Sequence, residues 1–83
     1  MRLLYFAWVR ERVGVSQESL ACPPGVTTAG ELMTWLAQRS EGHARAFAEP
    51  SRLRVAVNQV HVARDAAVSD RDEVAFFPPV TGG

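Results

Sequence analysis

The sequence predicts an α+β fold: a mixed sheet with one main helix packed on one face, followed by a flexible C-terminal tail. Three observations predict it. Apolar runs with two-residue alternation stand near both ends, a helical stretch opening on a capping box lies between them, and the chain closes on prolines and glycines.

Leu3 to Trp8 is apolar and aromatic and reads as the first strand. Arg2 sets its parity: with Arg2 in water, Leu4 and Phe6 face outward and Leu3 and Tyr5 inward. Val9 to Gly14 reads as one helical turn stopped by Gly14, and Ser16 to Ala21 as a short second strand closed by Cys22-Pro23-Pro24-Gly25. Thr28-Ala29-Gly30-Glu31 matches a capping box, so a helix is predicted over 29–39 with Leu32, Met33, Leu36 and Ala37 on its buried stripe and Trp35 at its flank. A second short helix is predicted over 42–48, ended by Pro50.

Arg54-Val55-Ala56-Val57 and Val60-His61-Val62-Ala63 alternate around an Asn58-Gln59 turn, a hairpin pattern. Ser69-Asp70-Arg71-Asp72 is a further turn, leading into a last strand over 73–77. The order of strand, strand, helix and three strands allows the first and last strands to lie side by side in the centre, as in a ubiquitin-like β-grasp. The predicted organisation is one β-grasp domain over residues 1–77 and an extended Gly-Gly tail over 78–83.

The 83 residues suit a single small domain, and a hydrophobic fraction of 47% is enough for a core. No apolar run is long enough to span a bilayer, and the N-terminus does not read as a secretory signal. A single cysteine, Cys22, excludes an internal disulfide framework and suits a reducing cytoplasm, so a cytoplasmic protein is expected. Net charge is zero and every basic residue is arginine, dispersed among the acids. That distribution lacks the basic stripe of a nucleic-acid binder, so neither nucleic acid nor membrane is an expected partner.

Internal catalysis finds little support. Cys22 precedes two prolines in a turn, far in sequence from His43 and His61, and reads as an inert loop thiol. One Cys and two separated His make a poor zinc set, and Asp70, Asp72 and Glu73 read as solvated turn formers. No cofactor or metal is expected. The surface is more informative. If Glu73 faces outward, so do Ala75 and Phe77; if Val60 and Val62 are core, His61 is outward. Leu4, Phe6, His61 and Phe77 would then share an apolar patch, either a docking surface or scattered surface apolars.

The tail adds chemistry to that patch. Gly82-Gly83 carries no side chain and can thread a narrow channel to present an α-carboxylate to another active site. Pro78 and Pro79 favour an extended exit, and residues 78–83 span roughly 20 Å when fully extended. The plain alternative is a frayed terminus.

Phe6-Ala7-Trp8-Val9-Arg10-Glu11-Arg12-Val13-Gly14, Ala56-Val57-Asn58-Gln59 and Asp72-Glu73-Val74-Ala75-Phe76-Phe77-Pro78-Pro79-Val80-Thr81-Gly82-Gly83 together resemble the molybdopterin synthase small-subunit family, from first strand to tail. The resemblance implies a sulfur carrier. An E1-like adenylyltransferase would use ATP to adenylate the Gly83 carboxylate, and a sulfur donor protein would convert it to a thiocarboxylate. The large subunit, in a heterotetramer with the small one, would receive the tail and pass the sulfur to cyclic pyranopterin monophosphate, forming the molybdopterin dithiolene. The resemblance implies Gly83 and Gly82 as reacting residues. It also implies partner contacts from Phe6, His61, Phe77, Pro78, Pro79, Val80 and Thr81. Arg10 and Glu11 are expected to stabilise the helical turn.

Two residues depart from the family pattern. Arg71 stands where a glycine is usual, which would strain the turn if φ were positive there, and His61 stands where an apolar side chain is usual. Three other readings remain open: a β-grasp sulfur carrier for thiamine or tRNA thiolation, a modifier conjugated to lysines, and a non-catalytic interaction module with an inert tail.

Overall fold

The structure, a computed structural model, describes residues 1–79. Strand β1 spans Arg2–Tyr5, helix α1 Ala7–Val13, β2 Gln17–Ser19, α2 Ala29–Leu36 and α3 Glu41–Ala46. A 3-10 turn at Pro50–Arg52 leads into β3 at Arg54–Val57, β4 at Val60–Val62 and β5 at Glu73–Phe77. The five strands form one sheet in the order β2-β1-β5-β3-β4. The central pair, β1 and β5, is parallel, with Leu3 opposite Val74 and Tyr5 opposite Phe76; the other pairs are antiparallel. The first and last strands thus meet in the centre as the element order predicts.

Alternation decides what is inside. Leu3 and Tyr5 of β1, Val74 and Phe76 of β5 and Val55 of β3 point to one face and are buried. Against them α2 sets Ala29, Leu32, Met33 and Leu36. The predicted capping box is present: the Glu31 backbone N–H donates to Thr28 Oγ1, and the Glu31 carboxylate accepts from the Thr28 N–H. Helix α2 ends at Leu36, earlier than predicted, and is the longest of three short helices. Phe47, just after α3, meets Phe76 edge-on with ring centroids 4.9 Å apart.

Two expectations about elements are corrected. The first strand ends at Tyr5, and Ala7 already begins α1. The reason is backbone: Ala7 has φ 53°, a left-handed conformation that turns the chain out of the sheet, and an apolar sequence carries no sign of it. Helix α1 then runs to the predicted stop, where Gly14 adopts φ 98° and donates its N–H to the Arg10 carbonyl. Val60 is the second correction. It is 61% exposed, because β4 is an edge strand of three residues and Val60 stands directly after the Asn58-Gln59 turn, while Val62 is half-buried.

Arg71 is unstrained. Among the described non-glycine residues only Ala7, Asn58 and Gln59 have positive φ. Asp72 holds this turn instead, accepting from the Ser69 N–H at 2.7 Å and from Asn58 Nδ2 at 3.0 Å. Those bonds lower the Asp72 carboxyl below its ordinary range, Asn58 contributing most. The Asn58-Gln59 turn takes φ 50° and 69°, the pattern of a type I′ hairpin, and Asn58 Oδ1 accepts from the Glu73 N–H at the start of β5.

Candidate docking face and tail exit

The outward face of the sheet carries one row across four strands: Leu4, Ala75, Ala56 and His61 are successive register partners. Phe77 lies on the same face of β5, opposite Arg54. The rings of His61 and Phe77 come together, with centroids 5.1 Å apart and planes tilted by 49°. No helix covers these side chains; His61 is exposed and Phe77 half-buried.

Phe6 reaches this edge by a different route from the one its sequence suggests. It is the N-cap of α1 and not a strand residue, but its backbone remains extended, with φ −126° and ψ 154°. Its N–H donates to the Phe76 carbonyl at 3.2 Å and its own carbonyl accepts from the Val9 N–H at 3.1 Å. That double tie holds the Phe6 side chain out, 48% exposed, beside the strand end that carries Phe77. Phe6 is thus exposed, as sequence parity expects, even though the strand stops one residue earlier.

Pro78 and Pro79 come directly after β5 and are half-buried. With Trp8, Ser51 and Arg52 they line a groove of about 300 Å³. The guanidinium of Arg12 lies 4.3 Å from the centre of the Trp8 ring and that of Arg52 5.7 Å from it. Trp8, Arg12 and Arg52 are functional candidates that the sequence alone does not single out. Trp8 and Arg12 are four apart on α1, a spacing that can reveal such a stack once the helix is known to start at Ala7. Val80, Thr81, Gly82 and Gly83 lie outside the described residues.

The inward face holds a second polar assembly that sequence reasoning misses. Glu18 of β2 points toward the core side and accepts from the Tyr5 hydroxyl at 2.8 Å. His43 Nε2 lies 2.8 Å from the same carboxylate oxygen, and His43 Nδ1 lies 2.7 Å from Ser40 Oγ. With Glu18 ionised, Nε2 carries the proton it donates. Arg39 adds a bond at 3.4 Å. Burial pushes the Glu18 carboxyl up, but the hydrogen bonds from His43 and Tyr5 and the charges of His43 and Arg39 outweigh it, and it lies below its ordinary range. Burial, then Glu18, pushes the Tyr5 phenol far up. The assembly binds α3 to β1 and β2.

Cys22 is a half-buried loop thiol with Sγ 3.5 Å from the Val26 carbonyl, and its N–H donates to Asp70. Among the described residues no three of His, Cys, Asp or Glu are grouped to hold a metal, and no helix is long and apolar enough to cross a membrane. Arg10 and Glu11 are exposed on α1. The arrangement can therefore bind another protein through a half-apolar sheet edge that adjoins the Pro78-Pro79 neck.

Residues 3–83 match the ThiS family. The molybdopterin synthase sulfur carrier subunit of Escherichia coli is 43% identical over 83 residues, covering 100% of this chain and 99% of the other. The protein of the same name from Haemophilus influenzae is 40% identical with the same coverage. Among solved structures, the putative molybdopterin converting factor subunit 1 from Pyrococcus furiosus superposes with a TM-score of 0.76 at 30% identity, covering 95% of each chain.

Proposed function

This chain belongs to the ThiS family, and from that premise we propose that it is the sulfur carrier subunit of a molybdopterin synthase, acting in the cytoplasm. The observation that carries the reading is the match to sulfur carrier subunits along the whole chain, tail included. The site geometry supports it: β5 runs from the buried centre of the sheet straight into the Pro78-Pro79 neck, past the exposed Phe6 and the Phe77–His61 pair.

The chemistry divides between this chain and its partners. A carboxylate is a poor electrophile, so an E1-like adenylyltransferase joins the Gly83 carboxylate to the AMP portion of ATP and releases pyrophosphate. A sulfur donor protein then delivers sulfur to the acyl carbon, AMP departs, and Gly83 becomes a thiocarboxylate, a soft nucleophile at neutral pH. The large subunit receives the tail, and the sulfur passes to cyclic pyranopterin monophosphate to build the dithiolene. Gly82 and Gly83 supply a terminus narrow enough for two different enzyme channels. Phe6, Phe77 and His61 seat the body, while Pro78, Pro79, Val80 and Thr81 form the neck inside the partner. The large subunit and this chain form a heterotetramer. ATP is consumed by the activating enzyme and is not held by this chain.

Intact-protein mass spectrometry tests this directly. Incubation with the E1-like enzyme, ATP and a sulfur source should replace one oxygen by sulfur at Gly83. No mass change with a demonstrably active enzyme would sink the carrier reading. Removal of Gly82-Gly83 should abolish sulfur transfer in a reconstituted synthase and leave the folded body unchanged in its melting curve.

A further inference from the structure

We propose that the groove between Trp8 and the Pro78-Pro79 neck is a second docking point, which takes an acidic segment of the large subunit; the inference rests on the carrier reading above. Two guanidinium groups lie within 6 Å of the centre of the Trp8 ring, and one of them, that of Arg52, lines the groove with that ring. Stacking on Trp8 holds them in place and leaves their N–H forks largely unspent. Arg12 makes a single bond at 3.4 Å to the Arg45 carbonyl and has no carboxylate within 4 Å among the described residues. Arg52 has only Glu49, at 3.9 Å, with both side chains more than half exposed, a pair that contributes little.

Charge and place identify the occupant. Guanidinium groups held on one indole with unfilled donor forks are complementary to Asp or Glu side chains, which a guanidinium takes in a two-point hydrogen bond. The groove's other wall is the neck itself, so whatever fills it also touches the protein that has swallowed the tail. The electrostatic layout agrees. Asp70, Asp72 and Glu73 lie in or beside the turn that precedes β5, whereas Arg52 and Arg54 lie around the end from which the neck departs. A chain of zero net charge thus presents a cationic end to the partner it enters. Such a contact steers encounter and fixes the rotation of the body about its tail, which an apolar seat at Phe77 alone does not.

Calorimetric titration against the isolated large subunit tests the proposal, with the full chain as wild type, Arg12→Glu/Arg52→Glu, Arg52→Glu alone and Phe77→Ala. The double reversal should weaken binding about tenfold or more and flatten its dependence on salt between about 50 and about 300 mM. Arg52→Glu, on an exposed turn outside the core, should show a smaller loss in the same direction with an unchanged melting curve. Wild-type affinity in both reversals, with Phe77→Ala weakened, would overturn the groove and leave the carrier reading standing. Slower adenylation by the activating enzyme with unaltered large-subunit affinity would also overturn it, by assigning the groove to the other partner. A wild-type chain that does not bind the large subunit overturns both readings.

Discussion

The two faces of the sheet treat their polar and aromatic groups in opposite ways. On the inner face Tyr5 stacks near Phe76, and its hydroxyl, Glu18, His43 and Ser40 satisfy one another. No buried side-chain polar atom among the described residues is left without a partner. Beside the outer face Phe6 stands half in water, on it exposed His61 meets half-buried Phe77, and on α1 the Arg12 fork makes a single hydrogen bond. The inner face is closed and gains nothing from a partner. The outer edge is incomplete by the same physical measures, and incompleteness beside the neck is what a docking surface requires. Stability and recognition are thereby carried by different residues of the same strands: Phe76 serves the first and its neighbour Phe77 the second.

That separation can be broken by substitution. The largest effect is expected from Phe76→Ala, which empties the centre of the core and should cost about 3–5 kcal/mol, measured by urea unfolding. Phe77→Ala should cost little stability yet weaken large-subunit binding by about 1–4 kcal/mol. Equal losses of stability from the two would erase the contrast. Gly42→Ala comes next. A Cβ there collides with the Arg12 carbonyl oxygen where α3 crosses α1, and overpacking of this kind costs about 1–3 kcal/mol. A melting temperature at the wild-type value would show that the two helices slide apart freely.

The polar assembly sharpens the contrast through pH. The folded pKa of Glu18 is lowered, so its contribution is fully present above the ordinary carboxylate value of about 4.3 and is lost as pH falls through the folded value. Tyr5 has the opposite sign: its folded pKa is raised, and its contribution, present below about 10, is lost as pH rises further. Thermal melts should be flat from about pH 5 to 9 and fall on both sides, with Glu18→Gln reducing the acid-side loss. An unchanged acid slope in that variant would assign the loss to surface carboxylates such as Asp70 and Asp72. The smallest effect belongs to Gln59→Gly, which relieves the left-handed turn and should raise stability by at most about 1 kcal/mol in the same melts.

Legibility in the sequence depends on which signals are local. The capping box at Thr28 and Glu31, the Asn58-Gln59 hairpin and the alternation of β5 are local patterns, and all three stand where the sequence predicts them. The inward and outward parities of β1 and β5 come from single charged residues, Arg2 and Glu73. The family resemblance carried by the neck is borne out along the whole chain. The failures are not local. Ala7 is driven left-handed by the need to leave the sheet after Tyr5, and Val60 is exposed because it stands beside the turn of the edge strand. Glu18 reads from sequence as a surface carboxylate on a short strand; only the approach of α3, 25 residues later, shows that it meets His43. Trp8, Arg12 and Arg52 escape notice for the same reason, since their stack joins α1 to a turn beyond α3.

The pairing of β1 with β5 has a consequence for synthesis. The strand that joins the two halves of the sheet, β2-β1 on one side and β3-β4 on the other, is made after the other four described strands. A nascent chain cannot close its core until Phe77 has left the ribosome, because before that the halves share no hydrogen-bonded edge. Chains broken off earlier keep two open edges and an unfilled centre, and proteases remove such species first. Folding thus acts as a length check on translation: a body that has folded has already been read through β5, and a partner enzyme never meets a well-folded body that stops short of the strand leading to the neck.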